Sequence, residues 1–465
     1  MNNRSLRKIF QTAIALTLLL LVPLAAGAYD IPGITGTSPD PVFNLTTGTG
    51  TVVTGEGNTV LMWLFGVAGG TVQYVGPTLI VNQGDNVTIN LTNNLPVPVS
   101  IVIPGINVTA TAVASGTALP GILTKEVPAD NGATTVAYTF TASQPGTYLY
   151  HSGTNPPLQV EMGLLGALIV RPAGFNAVTN RIAYNDAAST YNHENLFLLT
   201  DIDVRVHDAV KNGNLTNIDF ADFHSVYWFI NGRNLPDTLS ASDAPWLPNQ
   251  PYNAIPRLNP GQTILYRLLG GGRQGHPFHA HGNHHLNIAR HSQLLGAGAS
   301  LAWNAFTTSV YPGDTFDALM TWTGENVGWD IYGHANDIDN PPLGFCPAPG
   351  GAPGPEDFDN NNNGICDVCN PAVPEVAGED PDDHCVTIPV TLPNLQDLTF
   401  GMFYSGSPFL GAFGALPPGE GGFNANAGFF FMQHSHNEKE LTNFDIFPGG
   451  LATFLIVEPP SAPVQ

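Results

Sequence analysis

Short runs in which apolar and polar residues alternate dominate the chain, and most are bounded by glycine, proline or asparagine. In the segment 84–94, GDNVTINLTNN, we expect Val87, Ile89 and Leu91 on one face of a strand and the residues between them on the other. Helical periodicity is nearly absent, and 51 glycines and 40 prolines supply many turns. The pattern predicts an all-β protein built from β-sandwiches.

A weak internal repeat divides the chain. Segment 80–92, IVNQGDNVTINLT, resembles segment 257–269, RLNPGQTILYRLL, and each is followed by a later strand that ends in histidine. The interval is much longer in the second copy, which indicates an insertion. We therefore expect two β-sandwich domains, 41–172 and 184–460, the second with a long insertion rich in cysteine and aspartate at about 325–425.

Residues 1–28 are predicted to be a secretory signal peptide. Arg4, Arg7 and Lys8 precede an apolar run that is too short to span a bilayer comfortably, and Ala-Gly-Ala before Tyr29 fits a cleavage site. A single transmembrane anchor is the alternative. The signal predicts a secreted or periplasmic protein that is not held in a membrane after cleavage.

The chain is acidic, with 14 Lys and Arg against 37 Asp and Glu. Because no basic patch could neutralise phosphates, nucleic acid and anionic membranes are poor partners. The charge suits a soluble exported protein or one that attracts cations.

All four cysteines lie close together in the insertion: Cys346, Cys366, Cys369 and Cys385. In an oxidising compartment this spacing predicts two local disulfides. A zinc site built on the C-D-V-C run is the alternative.

The same insertion contains a calcium-loop-like segment, 357–370. Oxygen ligands stand on alternate residues, and a glycine occupies the position of the sharp turn. The candidate ligands are Asp359, Asn361, Asn363, the Ile365 carbonyl and Asp367. Position 12 is Asn370 rather than glutamate, so the segment resembles the calcium repeats of thrombospondin type 3 domains more than an EF-hand. A disordered acidic loop is the alternative.

Two histidine motifs carry the strongest chemical signal. In HPFHAHG (276–282), His279 and His281 share one face of a strand and His276 points the other way. In HSH, His434 and His436 share a face in the same manner. Neutral imidazoles grouped in this way are good ligands for copper. A chance cluster in a histidine-rich turn is the alternative.

These motifs resemble those of the multicopper oxidases. HPFHAHG, QHSHNEKE, GTYLYHS and GLLGALIVRP match the copper motifs and their flanking strands, and GPTLIVNQGDNVTINLTNNLP strengthens the likeness. The resemblance covers both domains but not the insertion. It implies two cupredoxin-like Greek-key β-sandwiches, copper bound between domains, and oxidation of phenols or metal ions at a type 1 copper with reduction of dioxygen at a trinuclear centre. By analogy with two-domain members, it also implies a homotrimer.

The resemblance implies which ligands are retained. Five histidines match ligands of the trinuclear centre: His151, His279, His281, His434 and His436. His276 matches a type 1 ligand.

The resemblance also shows which ligands are lost. Ser435 replaces the type 1 cysteine, and Glu440 replaces the second type 1 histidine. Val102, Pro104 and Gly153 occupy three further ligand positions. Since a blue copper site depends on a thiolate sulfur, electron entry through type 1 copper is not expected.

Two hypotheses follow. The first is an exported copper-binding protein with altered or residual oxidoreductase activity at the histidine cluster, which would hold at most one or two ions, copper or else zinc. The second is a non-enzymatic metal-binding, envelope or matrix protein that reuses the fold. His276 and Glu440 form either a hydrogen-bonded pair or a weak second metal site, and the cluster histidines could also be packed relics.

Overall fold

The computed structural model describes residues 31–322, 414–415, 423–424, 429–458 and 464, apart from positions 115, 215–217, 260 and 447–448. The predicted signal peptide, the four cysteines and the segment 357–370 lie outside the described residues. The same holds for most of the insertion. The disulfide and calcium hypotheses therefore stay predictions.

The described chain consists mostly of strands, which confirms the all-β prediction. The strands of the first half are β1 (Ile34–Thr35), β2 (Val42–Val53), β3 (Thr59–Val67), β4 (Val72–Gln73), β5 (Gly76–Asn82), β6 (Asn86–Asn93), β7 (Thr109–Ala112), β8 (Thr135–Thr141), β9 (Gly146–His151) and β10 (Leu165–Arg171). Those of the second half are β11 (His193–Ile202), β12 (Tyr227–Ile230), β13 (Arg257–Leu258), β14 (Thr263–Gly270), β15 (His276–Ala280), β16 (His285–Arg290), β17 (Gln293–Leu294), β18 (Trp303–Ala305), β19 (Thr307–Val310), β20 (Thr315–Thr321), β21 (Gly414–Ala415), β22 (Phe423–Asn424), β23 (Phe429–Ser435) and β24 (Ala452–Val457).

The helices of the described chain are short: α1 (Pro156–Gln159), α2 (Val204–Lys211) and α3 (Glu438–Leu441), with 3-10 turns at Ala187–Ser189, Asp237–Leu239 and Ala297–Ala299. Among them, none has the length and apolar character needed to cross a membrane.

The first sandwich packs a four-stranded sheet, ordered β1-β5-β10-β9, against a six-stranded sheet, ordered β4-β3-β2-β6-β8-β7. Strand β6 shows how the sequence determines which side of a sheet faces the core. Val87, Ile89 and Leu91 are buried in the core, whereas the threonine and asparagine residues between them lie on the outer, partly exposed face. Alternation in the sequence therefore fixes which face of this strand enters the core.

The second sandwich has a sheet ordered β12-β11-β14-β20-β16-β17, with β18 paired to β16, and a five-stranded sheet ordered β13-β24-β23-β15-β19. Its strand pairing repeats that of the first sandwich. Strand β10 lies parallel to β5 and antiparallel to β9, and β24 lies parallel to β13 and antiparallel to β23. Strand β9, which ends at His151, thus corresponds to β23. The domain bounds 41–172 and 184–460 themselves stay predictions.

A continuous apolar core joins the two sandwiches, with Leu149 and Leu165 of the first packed together with Leu198 and Phe229 of the second. The sandwiches therefore share buried surface as well as a covalent connection.

Beside that core lies a buried network of charged groups. Glu194 accepts hydrogen bonds from Arg171 Nη1 at 2.8 Å and from Arg267 Nε at 2.9 Å. Arg267 also donates to Thr147 Oγ1, which donates in turn to Asp317 Oδ1 at 2.6 Å. Burial raises the pKa of Glu194, but the two guanidinium groups outweigh it and lower that pKa to about 2. The network binds β9 and β10 of the first sandwich to β11, β14 and β20 of the second.

Candidate metal centre

Strands β15 and β23 bring the two histidine motifs together. They pair antiparallel, with His279 directly opposite His434, and the His281 amide continues the ladder by donating to the Met432 carbonyl at 3.0 Å. Because alternate residues share a face, the pairing places the imidazoles of His279, His281 and His434 side by side. One ligand nitrogen from each lies within 4.8 Å of the others.

His436 completes this group, which we call the imidazole cluster (His279, His281, His434 and His436). Its ring centroid lies 4.8 Å from that of His279 and 5.7 Å from that of His434. Its amide donates to the Pro277 carbonyl at 2.8 Å, which holds the segment against β15 after the strand has ended.

Hydrogen bonds orient the cluster so that Nε2 atoms face its centre. Nδ1 of His434 donates to the Ser435 carbonyl at 2.6 Å, which leaves Nε2 of His434 as a bare acceptor. Nδ1 of His279 is bonded to Thr307 Oγ1 at 2.8 Å. Nε2 of His434 lies 2.9 Å from Nε2 of His281. Two ring nitrogens this close share one proton, and a metal ion could replace that proton.

The cluster favours uncharged imidazoles. Burial is the main cause that lowers the pKa of His434 to about 4, and the neighbouring histidines lower it further, against the hydrogen bond to the Ser435 carbonyl. Burial and the charges of His281 and His436 also lower the pKa of His279. Neutral imidazole is the form that binds metal, so the environment prepares these side chains as ligands.

The cluster lies near the surface of the second sandwich. His436 and His284 are exposed, and Phe306, which is 57% exposed, contacts the rings of His279 and His284 edge-on. Beneath it, His285 is fully buried, and burial is the main cause that lowers its pKa to about 4. Among the residues that the structure describes, this exposed side is where an ion or small molecule would reach the cluster.

His151, the fifth predicted ligand, lies on the first sandwich and is not part of the imidazole cluster. Its Nδ1 bonds the Ser152 carbonyl at 2.9 Å, the same arrangement that orients His434. Its main chain pairs with Val102. A Cβ built on Gly153 would lie 2.7 Å from Val102 Cγ1. Val102 therefore fills the space that a side chain at position 153 would need, beside His151, while the third substituted position, Pro104, is exposed.

On the opposite face of β23, Ser435 points away from the cluster. Its hydroxyl donates to Glu440 Oε2 at 2.6 Å, and the same oxygen accepts a hydrogen bond from His276 Nδ1 at 3.0 Å. Of the two alternatives for His276 and Glu440, the geometry is that of a hydrogen-bonded pair. All three side chains are at most 1% exposed.

Sequence reasoning missed a fourth member of this group, Asp201. Its Oδ1 lies 3.5 Å from Nε2 of His276, an ion-pair distance rather than a well-formed hydrogen bond. Burial lowers the pKa of an imidazole, but the hydrogen bonding and charges of Asp201 and Glu440 outweigh it and raise the pKa of His276 to about 9. The one signal in the sequence was an acidic pair, Asp201 and Asp203, at the end of an apolar strand.

A β-sandwich that carries imidazoles of two strand motifs in this arrangement defines a cupredoxin-type protein with a histidine-rich candidate metal centre. The chain's fold is similar to that of a solved multicopper oxidase, mgLAC, with a TM-score of 0.51 and 17% identity, over 90% of this chain and 86% of that one. At that identity the likeness shows the fold alone.

Sequence comparisons identify relatives of the chain. The multicopper oxidase family profile matches residues 64–174. Multicopper oxidase MCE of Talaromyces pinophilus is 38% identical over 100 residues, which are 22% of this chain and 15% of that protein. Laccase-4 of Oryza sativa subsp. japonica is 26% identical over 333 residues, 70% of this chain and 50% of that one. The L-ascorbate oxidase of Cucurbita pepo var. melopepo is 40% identical over 101 residues, 22% and 17% of the two chains.

These matches support the resemblance to the multicopper oxidase superfamily. The chain spans half or less of the length of these three relatives. The superfamily implies copper as the metal.

Proposed function

We propose that this protein binds copper at the imidazole cluster and acts as an exported copper protein without a type 1 centre. The convergence of ring nitrogens from His279, His281 and His434 within 4.8 Å carries the proposal. The donor set fits copper, because His279 and His434 have lowered pKa values, caused first by burial, and are both hydrogen-bonded at Nδ1. Zinc would fit the same nitrogens, and one or two ions exhaust the donors.

Bound copper would supply one-electron redox chemistry at this position. The chain's own residues define what reaches it. Phe306 flanks His279 on the exposed side, and His436 and His284 are open to solvent. Altered or residual oxidoreductase activity toward a small molecule or a metal ion is therefore the first candidate activity.

The second candidate is a metal-binding protein without enzymatic activity. The observation that favours it is that Ser435 and Glu440, at the positions that match type 1 ligands, are hydrogen-bonded to each other. Without a sulfur ligand there, copper-loaded protein should show no intense absorption near about 600 nm. A strong blue band would refute the proposed absence of type 1 copper.

We also propose that copies of the chain associate, by analogy as a homotrimer. His151 presents the same Nδ1-to-carbonyl arrangement as His434, yet it lies on the other sandwich, apart from the imidazole cluster. A second copy could bring His151 to the cluster. Light scattering with and without copper would test this, and a monomer under both conditions would reject it.

The decisive experiment compares copper stoichiometry in chelator-stripped, reloaded protein. Replacing His281 and His436 together by alanine should abolish tight binding. The matched control is His224→Ala, since that imidazole is 65% exposed and bonds Asp222 outside the cluster. Unchanged copper in the double variant would show that the cluster histidines are relics. Assays with phenols, Mn²⁺ and Fe²⁺ on the loaded protein then separate the two candidates.

A further inference from the structure

A second group of buried polar side chains lies on the face of β23 opposite the imidazole cluster. It consists of Asp201, His276, Ser435 and Glu440, and we call it the buried acidic-histidine group. Each member is at most 2% exposed. Its members come from β11, β15, β23 and α3, which are far apart in the sequence. Because water does not reach these side chains, any charge on one of them must be balanced by another member or by a hydrogen bond.

Both carboxylates are well supplied with donors. Asp201 accepts from the amide of Arg273 at 2.8 Å and from Ser225 Oγ at 2.6 Å. Glu440 accepts from Ser435 Oγ at 2.6 Å and from Asn437 Nδ2 at 3.1 Å. Two carboxylates, each with its own hydrogen-bond donors, therefore lie on either side of one imidazole.

The imidazole of His276 lies between these carboxylates, with Nδ1 3.0 Å from Glu440 and Nε2 3.5 Å from Asp201. A neutral ring has one N–H and would turn a lone pair toward one of the carboxylates. Only the doubly protonated ring presents a donor to each. Nε2 of His276 makes no hydrogen bond of its own, so the contact with Asp201 is one of charge, and the geometry favours a cation at this point.

We propose that the imidazolium of His276 is a structural cation at neutral pH that fastens α3 and the end of β23 to β11 and β15, in the place where a metal ion would otherwise join residues 276, 435 and 440. Glu440 is the positioning residue of this arrangement, because its Oε2 contacts both His276 and Ser435. The role is independent of the copper proposed at the imidazole cluster.

A double-mutant cycle in the presence of a chelator tests the charge coupling. Glu440→Gln in the wild-type background should raise the unfolding equilibrium constant by about a hundredfold or more, since it leaves a buried cation with one counterion. In the His276→Gln background the same substitution should be neutral or stabilising, because the carboxylate there has no cation to balance. An equal loss in both backgrounds would show simple packing and overturn the proposal.

A measurement on the unaltered protein keeps the proposal falsifiable if the variants fail to fold. With ¹⁵N-labelled histidine, His276 should show two ring N–H protons at neutral pH, both protected from exchange with solvent. A single N–H, or a shift of these signals when copper is added at one equivalent beyond saturation of the imidazole cluster, would overturn it.

Discussion

Raising the pH from about 7 to about 9.5 should remove the proton that the folded protein holds on His276 between its two carboxylates. The folded protein holds this proton with a pKa of about 9, whereas an ordinary histidine has 6.5. At ~1.4 kcal/mol per pH unit, the gap is worth about 3 kcal/mol. Because the folded pKa is the higher one, this stability is complete below about 6.5 and is lost as the pH rises through about 9.

Other buried groups set the usable window. His434 and His285 have pKa values lowered to about 4, mainly by burial, so their contributions change below about 6.5 and are constant above it. Glu161 and His207, which are buried and pair with each other, are the further titratable groups on the Asp201 side, and Glu161 has a raised pKa caused first by burial. The pH series should end at about 9.5, because above it the tyrosines of the unfolded chain ionise while the buried ones do not, which would add a second change in stability.

The assay is urea unfolding at stepwise pH in the presence of a chelator. Wild type should lose about 2.5 kcal/mol across the window, and Glu440→Gln should lose clearly less because one of the two counterions is gone. The His224→Gln control should behave as wild type, since that side chain is exposed. A flat wild-type profile, or equal losses in wild type and Glu440→Gln, would refute the reasoning.

Three further outcomes are expected. Arg267→Met leaves Glu194 without one of its two buried partners and should cost about 3–5 kcal/mol in denaturant unfolding; a cost under about 1 kcal/mol would mean that the network is well solvated. Gly153→His places a Cβ 2.7 Å from Val102 Cγ1 and should lower the melting temperature, and Val102→Ala in the same chain should restore part of it. Calcium should slow protease cutting within 357–370, with all four cysteines oxidised by mass; unchanged cutting, or four free thiols, would reject that reading.

Local periodicity explains how much of the fold could be predicted. The alternation in β6 assigned Val87, Ile89 and Leu91 to the core, and all three are buried there. The same rule placed His279 and His281 on one face of β15 and His276 on the other, as the structure has them. These assignments need only the period of a strand.

Long-range pairing explains what could not be predicted. Asp201 lies beyond the residues of β11 that pair with β14, where the amides of Arg273 and Gln274, just before His276, donate to its carboxylate; no short segment encodes this arrangement. The position of His151 outside the imidazole cluster depends on how the sandwiches pack, and so does the network around Arg267 and Glu194. Such contacts are fixed by tertiary packing rather than by local propensity.

Strand β23 carries neighbouring residues into two separate chemical environments. His434 belongs to the imidazole cluster, whose member His436 is exposed, and the next residue, Ser435, belongs to a group in which every side chain is buried. A substitution at one position therefore changes one environment while the backbone ladder, which both share, stays intact. Selection could exchange a thiolate for a hydroxyl on the closed side without first dismantling the open side. In this strand, a single substitution can therefore change one site and leave the other as it was.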